Sequence, residues 1–185
     1  MLDLSHGQSY LTTMTVLTIL TAPDPRLKIK ALPVAVVDDD LRHLMDDMVE
    51  TMYAARGIGL AATQIGVAKR VVVMDLADNG EPPAPRYFVN PEITWIAPEM
   101  EVFNEGCLSV PDQYDDVERP ARIKARYLDY RGMEQTLEAH GLLADCLQHE
   151  IDHLNGILFI DHLSRLRRSM ILKKLEKARR FSETG

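Results

Sequence analysis

A chain of 185 residues with an apolar fraction of 46% can bury one core and is too short for more than two small domains. No apolar run is long enough to cross a bilayer, and Cys107 and Cys146 are too few for a disulfide framework, so a reducing, cytoplasmic setting is expected. The net charge of −7 is uneven: from Ser164 onward eight basic residues face only Glu176 and Glu183, which puts this tail at +6 and the remainder at −13, a pattern that suits an anionic partner for the tail.

Residues 1–13, MLDLSHGQSYLTT, carry an acid and no Lys or Arg, unlike a secretory or organellar targeting peptide. They are expected to be a disordered extension ahead of a single domain over 14–185. Thr15–Leu20 reads as a short strand, followed by a turn at Ala22-Pro23-Asp24-Pro25. Asp38–Asp40 supply N-cap oxygens, and Leu41, Leu44, Met45, Met48, Val49, Met52 and Tyr53 predict an amphipathic helix to about Ala55. Gly57-Ile58-Gly59-Leu60-Ala61-Ala62-Thr63-Gln64 then leaves the backbone almost bare, so that another chain can come close. It follows a helix and has no third glycine or Gly-Lys-Ser/Thr, which excludes a dinucleotide fingerprint and a phosphate loop.

Arg70–Leu76 predicts a strand, and Asp78–Pro85, with Asn79-Gly80 and three prolines, a loop. Short strands are expected at Tyr87–Val89, Glu92–Ala97 and Glu99–Phe103, broken by Pro91 and Pro98, with Asp112–Pro120 as a polar loop. Arg122–Asp129 and Met133–Ala139 form a hairpin around Tyr130-Arg131-Gly132. Leu163–Phe181 is a last amphipathic helix with Leu166, Met170, Leu175 and Ala178 on its apolar side. A helix, then antiparallel strands, then helices indicate an α+β fold: antiparallel sheets packed around a central helix, with a C-terminal helix.

That central helix is Leu142–Asn155, whose apolar residues recur at three- and four-residue steps. It contains Gln148-His149-Glu150-Ile151-Asp152-His153, an HExxH pattern. Four residues apart on a helix, His149 and His153 project from one side and can bind one divalent ion, with Glu150 placed to exchange a proton with water. Two exposed histidines on a polar face are the plainer alternative. One class of such enzymes adds a third His in HExxHxxGxxH; Gly156 fits, but Phe159 stands at the third position and cannot ligate. His162 lies three residues too far along, and Glu176 sits in a basic helix. Cys107 remains, and Cys-His-His would leave an open position for water. Spacing alone does not bring Cys107 near His149, and by itself it reads as a buried thiol.

Three separated motifs, GIGLAATQ at 57–64, EGCLS at 105–109 and QHEIDH at 148–153, resemble those of peptide deformylase, which removes the N-formyl group from nascent polypeptides. The likeness runs from about Thr15 to the C-terminal helix and is similar to the bacterial type with a helical C-terminus. It implies Cys107, His149 and His153 as metal ligands and Glu150 as general acid/base. It also implies the Gln64 side chain and the Leu108 N–H as oxyanion donors, and Ile58, Gly59, Phe103, Gly106, Leu142 and Cys146 as substrate contacts. From the residues themselves, Cys146 reads more simply as a core thiol than as a ligand. The resemblance implies Fe²⁺ as the native ion; Zn²⁺, Ni²⁺ and Co²⁺ suit the same donors. The implied substrates are formyl-methionyl nascent peptides, with ribosome contact through the basic C-terminal helix and no DNA or membrane partner. A solvated helix face is the competing reading of that tail.

Asp145 departs from the family, where an apolar residue is common, and is expected to face solvent. Tyr114 stands where some members carry an arginine. Asp152 is a candidate acceptor for a ring N–H, and Glu105 a candidate partner for Arg119, holding the cysteine turn. A metallo-endopeptidase of the HExxH type is the alternative function, disfavoured by Phe159.

Overall fold

The computed structural model describes residues 15–77 and 80–183. The expected extension at 1–13 lies outside the described residues, as do Asp78 and Asn79 of the expected loop.

Helix α1 (Asp39–Ala54) starts where the acidic run predicts: the Asp38 side chain accepts the Leu41 N–H at 2.9 Å, satisfying a donor the helix cannot pair internally. Its apolar stripe, Leu41, Met45, Met48 and Met52, is buried against Leu60, Val71, Val73 and Val89. These residues belong to a five-stranded antiparallel sheet of β1 (Gly59–Ala61), β2 (Val71–Met74), β3 (Arg86–Ile96), β6 (Arg122–Leu128) and β7 (Glu134–His140), ordered β1-β2-β3-β6-β7. Alternate residues of the same strands, Val72, Met74, Phe88, Ile123 and Ala125, pack on the other face against Leu147, Ile151 and Leu154 of α2 (Gly141–Leu154). Strand β2 is therefore buried on both faces, and its sequence VVVM shows no polar alternation.

A separate hairpin, β4 (Met100–Cys107) and β5 (Val110–Pro120), closes over the other side of α2. It packs with α3 (Arg165–Glu183) through Val110, Val117, Phe159, Ile160, Ile171 and Leu175. With the sheet on one side and the hairpin on the other, α2 is buried from Ala144 through Ile151, more completely than a one-faced helix would be.

Four sequence expectations change. Thr15–Leu20 joins no sheet; it is held by separate hydrogen bonds, from the Thr15 N–H to Asp47 Oδ1, the Leu17 N–H to Thr51 Oγ1 and the Leu20 N–H to the Gln64 carbonyl. Pro91 does not break a strand, because β3 runs through it on a bulge in which Asn90 and Pro91 oppose one residue of β6. Asn90 takes φ +52°, and its amide is fixed by the Val34 N–H and carbonyl. Asp112–Pro120 is strand, not loop: Val117 and Arg119 turn inward while intervening residues face water. On α3, Ile171 and Leu175 are buried, whereas Leu166, Met170 and Ala178 are exposed, since only the stripe facing the hairpin has something to pack against.

Candidate metal centre

Helix α2 carries His149 and His153 on one face, four residues apart, and the hairpin tip brings in Cys107. The tip is a two-residue connection, Leu108-Ser109, with Cys107 opposite Val110. A Cβ on Gly106 would meet the exposed Tyr114 ring at 2.3 Å, so the bare strand is what leaves that ring room in its present position. The Cys107 sulfur lies 3.2 Å from His153 Nε2, which lies 3.2 Å from His149 Nε2. Ligand atoms of all three fall within 4.8 Å of one another.

These residues fit a divalent ion. Ligands held tetrahedrally at ~2.0–2.3 Å from one centre stand ~3.3–3.7 Å apart, close to the separations found. Two ring nitrogens and a sulfur aimed at one buried point offer lone pairs that repel one another unless a cation lies between them. Both rings present Nε2, and His149 commits its other nitrogen, Nδ1, to Glu105 Oε2 at 2.6 Å, the contact that orients a ligating imidazole and increases its basicity.

Glu105 belongs to a buried ion cluster. Arg119 forks onto it, Nε to Oε1 at 2.6 Å and Nη2 to Oε2 at 3.1 Å, as the expected pairing requires. Arg119 Nη1 also donates to Asp152 Oδ2 at 2.8 Å, and His162 Nε2 meets the same oxygen at 2.8 Å. Asp152 thus supports Arg119 instead of a ligand ring. Burial pushes Glu105 up, but the His149 ring and the Arg119 fork outweigh it and bring the carboxyl down to about 2. Asp145 does not face solvent. It is 6% exposed, one helical turn before His149 on the same face, with Oδ1 3.6 Å from Arg119 Nε and without a hydrogen-bond partner. Burial and the neighbouring Glu105 charge push it up to about 7.

Glu150 is buried at 4% exposure and its Oε2 has no hydrogen-bond partner. Burial brings its pKa up to about 7, a value suited to both taking and giving a proton near neutrality. A Cβ on Gly59 would stand 2.5 Å from Glu150 Oε1 and 3.1 Å from Cys146 Sγ, so the bare backbone of β1 is what makes room for this carboxyl. Burial pulls His153 well below the ordinary histidine range. It does the same to His149, but the Cys107 sulfur and Glu105 outweigh it and push that ring up. Phe159, where a third His would stand, stacks on His149 with centroids 6.3 Å apart.

A cavity of about 730 Å³ opens onto this group. Ile58, Gly59, Gln64, Gly106, Cys107, Leu108, Leu142, Cys146, His149 and Glu150 line it, together with Asp145 and Tyr114. Phe103 does not line it. It lies on the same hairpin face as Glu105 but two residues farther from the tip, roughly 7 Å along the strand and beyond the end of the cavity. The Gln64 side chain points inward at 1% exposure: its Oε1 accepts the Ala61 N–H at 2.8 Å, and its Nε2 lies 3.1 Å from Ser109 Oγ and 3.6 Å from Cys107 Sγ. Sequence reasoning passed over Ser109; its place two residues after a candidate ligand, at the tip of a tight turn, was the available signal.

Residues 16–169 match the family model described as Polypeptide deformylase. The peptide deformylase of Phenylobacterium zucineum is 62% identical over 164 residues, which is 89% of this chain and 97% of that protein. The crystal structure of peptide deformylase from Ehrlichia chaffeensis is 45% identical with a TM-score of 0.87, covering 91% of this chain and 99% of that one. The Met-Ala-Ser-bound class I type b peptide deformylase from Acinetobacter baumannii is 36% identical with a TM-score of 0.77, over 82% of this chain and 100% of that one.

Proposed function

The chain belongs to the peptide deformylase family, and from that premise we propose how its own residues divide the work of removing the formyl group from nascent peptides. The observation that carries the reading is the convergence of Cys107, His149 and His153 on one buried point beside Glu150 and a peptide-sized groove. These three residues would hold one divalent ion; Fe²⁺ is the proposed native occupant, with Zn²⁺, Ni²⁺ or Co²⁺ able to replace it. Bound by these residues, such an ion would lower the pKa of a water and polarise the formyl carbonyl.

Glu150 is the proton carrier. It accepts a proton from the attacking water as the C–O bond forms, then returns it to the amine as the C–N bond breaks, so that water and a formamide become formate and a free amino terminus. The oxygen of the former carbonyl gathers negative charge between these events. The Gln64 amide and the Leu108 N–H donate to it, and a single such donor contributes ~2.7–4 kcal/mol in comparable hydrolases. The substrate backbone lies along the bare strand at Ile58 and Gly59, as an added strand does. The first side chain enters between Gly106, Leu142 and Cys146, where a methionine thioether meets apolar walls. The Met-Ala-Ser peptide named for the Acinetobacter protein supports a peptide as occupant.

The basic face of α3 is proposed to contact the ribosome, whose RNA supplies the anionic surface that its exposed Lys and Arg residues suit. Among the described residues no helix is long and apolar enough to cross a membrane, and the proposed setting is the cytoplasm, where nascent chains emerge. The deciding experiment measures formate release from formyl-Met-Ala-Ser by protein purified without oxygen, with metal analysis of the same sample. Turnover that scales with bound metal is expected, with no cleavage of a blocked internal peptide. Metal-loaded protein that cuts the internal peptide and spares the formyl group would overturn the reading.

A further inference from the structure

Gln64 can serve an oxyanion only if its amide nitrogen is held facing the reacting centre with a proton to spare. A side-chain amide has one acceptor oxygen and two N–H donors, and it can turn over unless both ends are held. The Ala61 N–H fixes the oxygen at 2.8 Å. At the other end the nitrogen faces Ser109 Oγ at 3.1 Å and Cys107 Sγ at 3.6 Å. The sulfur contact is the long, weak member of the pair, and it points toward the metal-ligating group. The serine contact is the short one, to an oxygen that is not among the metal-ligating atoms.

Ser109 is itself held by its surroundings. It is fully buried, its carbonyl accepts the Ala22 N–H at 2.8 Å, and its own N–H faces Cys107 Sγ at 3.4 Å. Its hydroxyl is therefore a fixed point on the hairpin tip, tied on one side to the segment that leads into the fold and on the other to the cysteine.

We propose that Ser109 is a positioning residue for the oxyanion site, its hydroxyl oxygen holding one Gln64 N–H so that the other is directed at the developing charge. The proposal rests on the reading of Gln64 given above. The Ser109 acceptor stays bonded throughout, and only the weaker sulfur contact has to lengthen for Gln64 to donate to substrate. Because that donation matters most in the transition state, the contribution of Ser109 falls on kcat and spares KM. It acts through Gln64 alone, so its effect should vanish when Gln64 is removed.

The test is a double-mutant cycle on metal-loaded enzyme with formyl-Met-Ala-Ser. Ser109→Ala should lower kcat about tenfold, the scale of one neutral hydrogen bond, with KM and metal content unchanged. Gln64→Ala should lower kcat by ~10²–10³, and adding Ser109→Ala to it should lower kcat no further. Unchanged turnover in Gln64→Ala sinks the oxyanion reading itself. A large loss in Gln64→Ala together with normal turnover in Ser109→Ala, or with independent, multiplying losses, overturns the Ser109 proposal alone. A second measurement needs neither activity nor a variant. In the metal-free wild-type protein, one Gln64 side-chain amide proton should exchange with water much more slowly than the other, and equal, rapid exchange of both overturns the proposal.

Discussion

Helix α2 sits between two unlike environments, and each supports one imidazole. On the hairpin side, His149 is backed by ions: Glu105 takes its Nδ1, Arg119 grips Glu105, and Asp145 and Asp152 complete the cluster. On the sheet side, support is small and dry. The His153 carbonyl accepts the Thr63 hydroxyl at 3.0 Å, its ring Nδ1 has no hydrogen-bond partner, and Gly59 and Cys146 crowd Glu150. One ring thus gains basicity from a carboxylate behind it, while burial disfavours a proton on the other. A metal site needs no symmetric support. The charged side fixes orientation, and the dry side leaves the Glu150 carboxyl poorly solvated, as its proposed part in moving a proton requires.

The dry side is broken most severely at Glu150. Glu150→Gln keeps the shape and removes the base, so deformylation should fall by ~10²–10⁴ while bound metal, read by elemental analysis, stays at the wild-type level. If turnover survived, the dry side would be only packing, and the proton would have to travel by another route.

The charged side is broken at Arg119. Arg119→Met leaves Glu105, Asp145 and Asp152 without their shared cation, and stranding buried charges in this way costs ~3–5 kcal/mol. The thermal midpoint should drop accordingly. Metal affinity, followed by competition with a chelator, should weaken ~10–100-fold as the His149 ring loses its oriented acceptor. Glu150→Gln should do neither, so the pair of variants separates the two environments.

How much of this contrast the sequence announces depends on whether local or distant residues decide it. The dry side is local. Gly57 through Gln64 and the HExxH turn are each contiguous, and the bare backbone and the three- and four-residue steps can be read directly. The EGCLS motif is also contiguous, but its approach to the two rings is not local: the fold, not the spacing, brings the ligand atoms of Cys107, His149 and His153 within 4.8 Å of one another. The charged side joins residues from two strands and a helix, and the sequence hints only at Glu105 with Arg119. Asp145 departs from its expectation because an acid on a helix is ordinarily solvated, whereas the hairpin that covers this one comes from distant sequence and sets Arg119 3.6 Å from its Oδ1. Strand β5 was misread for a related reason. With five acidic or basic residues among its eleven, it resembles a loop until its opposite partner, β4, is known. The bulge at Asn90 and Pro91 likewise depends on contacts with Val34 and Arg70 that lie far off in the chain.

Asp145 offers a subtler way to sharpen the comparison. Its folded pKa, about 7, lies above the ordinary 3.8, so the fold favours the neutral acid. No penalty exists below pH 4. It grows as pH rises from about 4 to 7 and is complete above 7. Asp145→Asn should therefore stabilise the protein, by an amount that increases with pH to on the order of a few kcal/mol at pH 8. Urea midpoints at pH 5 and pH 8 read this directly, and a constant difference between variant and wild type at the two values would mean that Asp145 stays ionised.

The smallest effect is expected where the charged side meets water. His162 touches Asp152 Oδ2 at 2.8 Å, yet its side chain is 37% exposed, and Asp152 keeps its Arg119 bond without it. A partner so well solvated contributes little, so His162→Phe should change stability by at most ~0.5 kcal/mol and leave metal affinity within about twofold of wild type. The ion cluster would then end at Arg119 in energetic terms, although the hydrogen bonds run on to the surface. A tenfold loss of metal affinity in His162→Phe would give the opposite answer: the support behind His149 would begin at an exposed ring, and the charged side would be open to solvent conditions in a way the dry side is not.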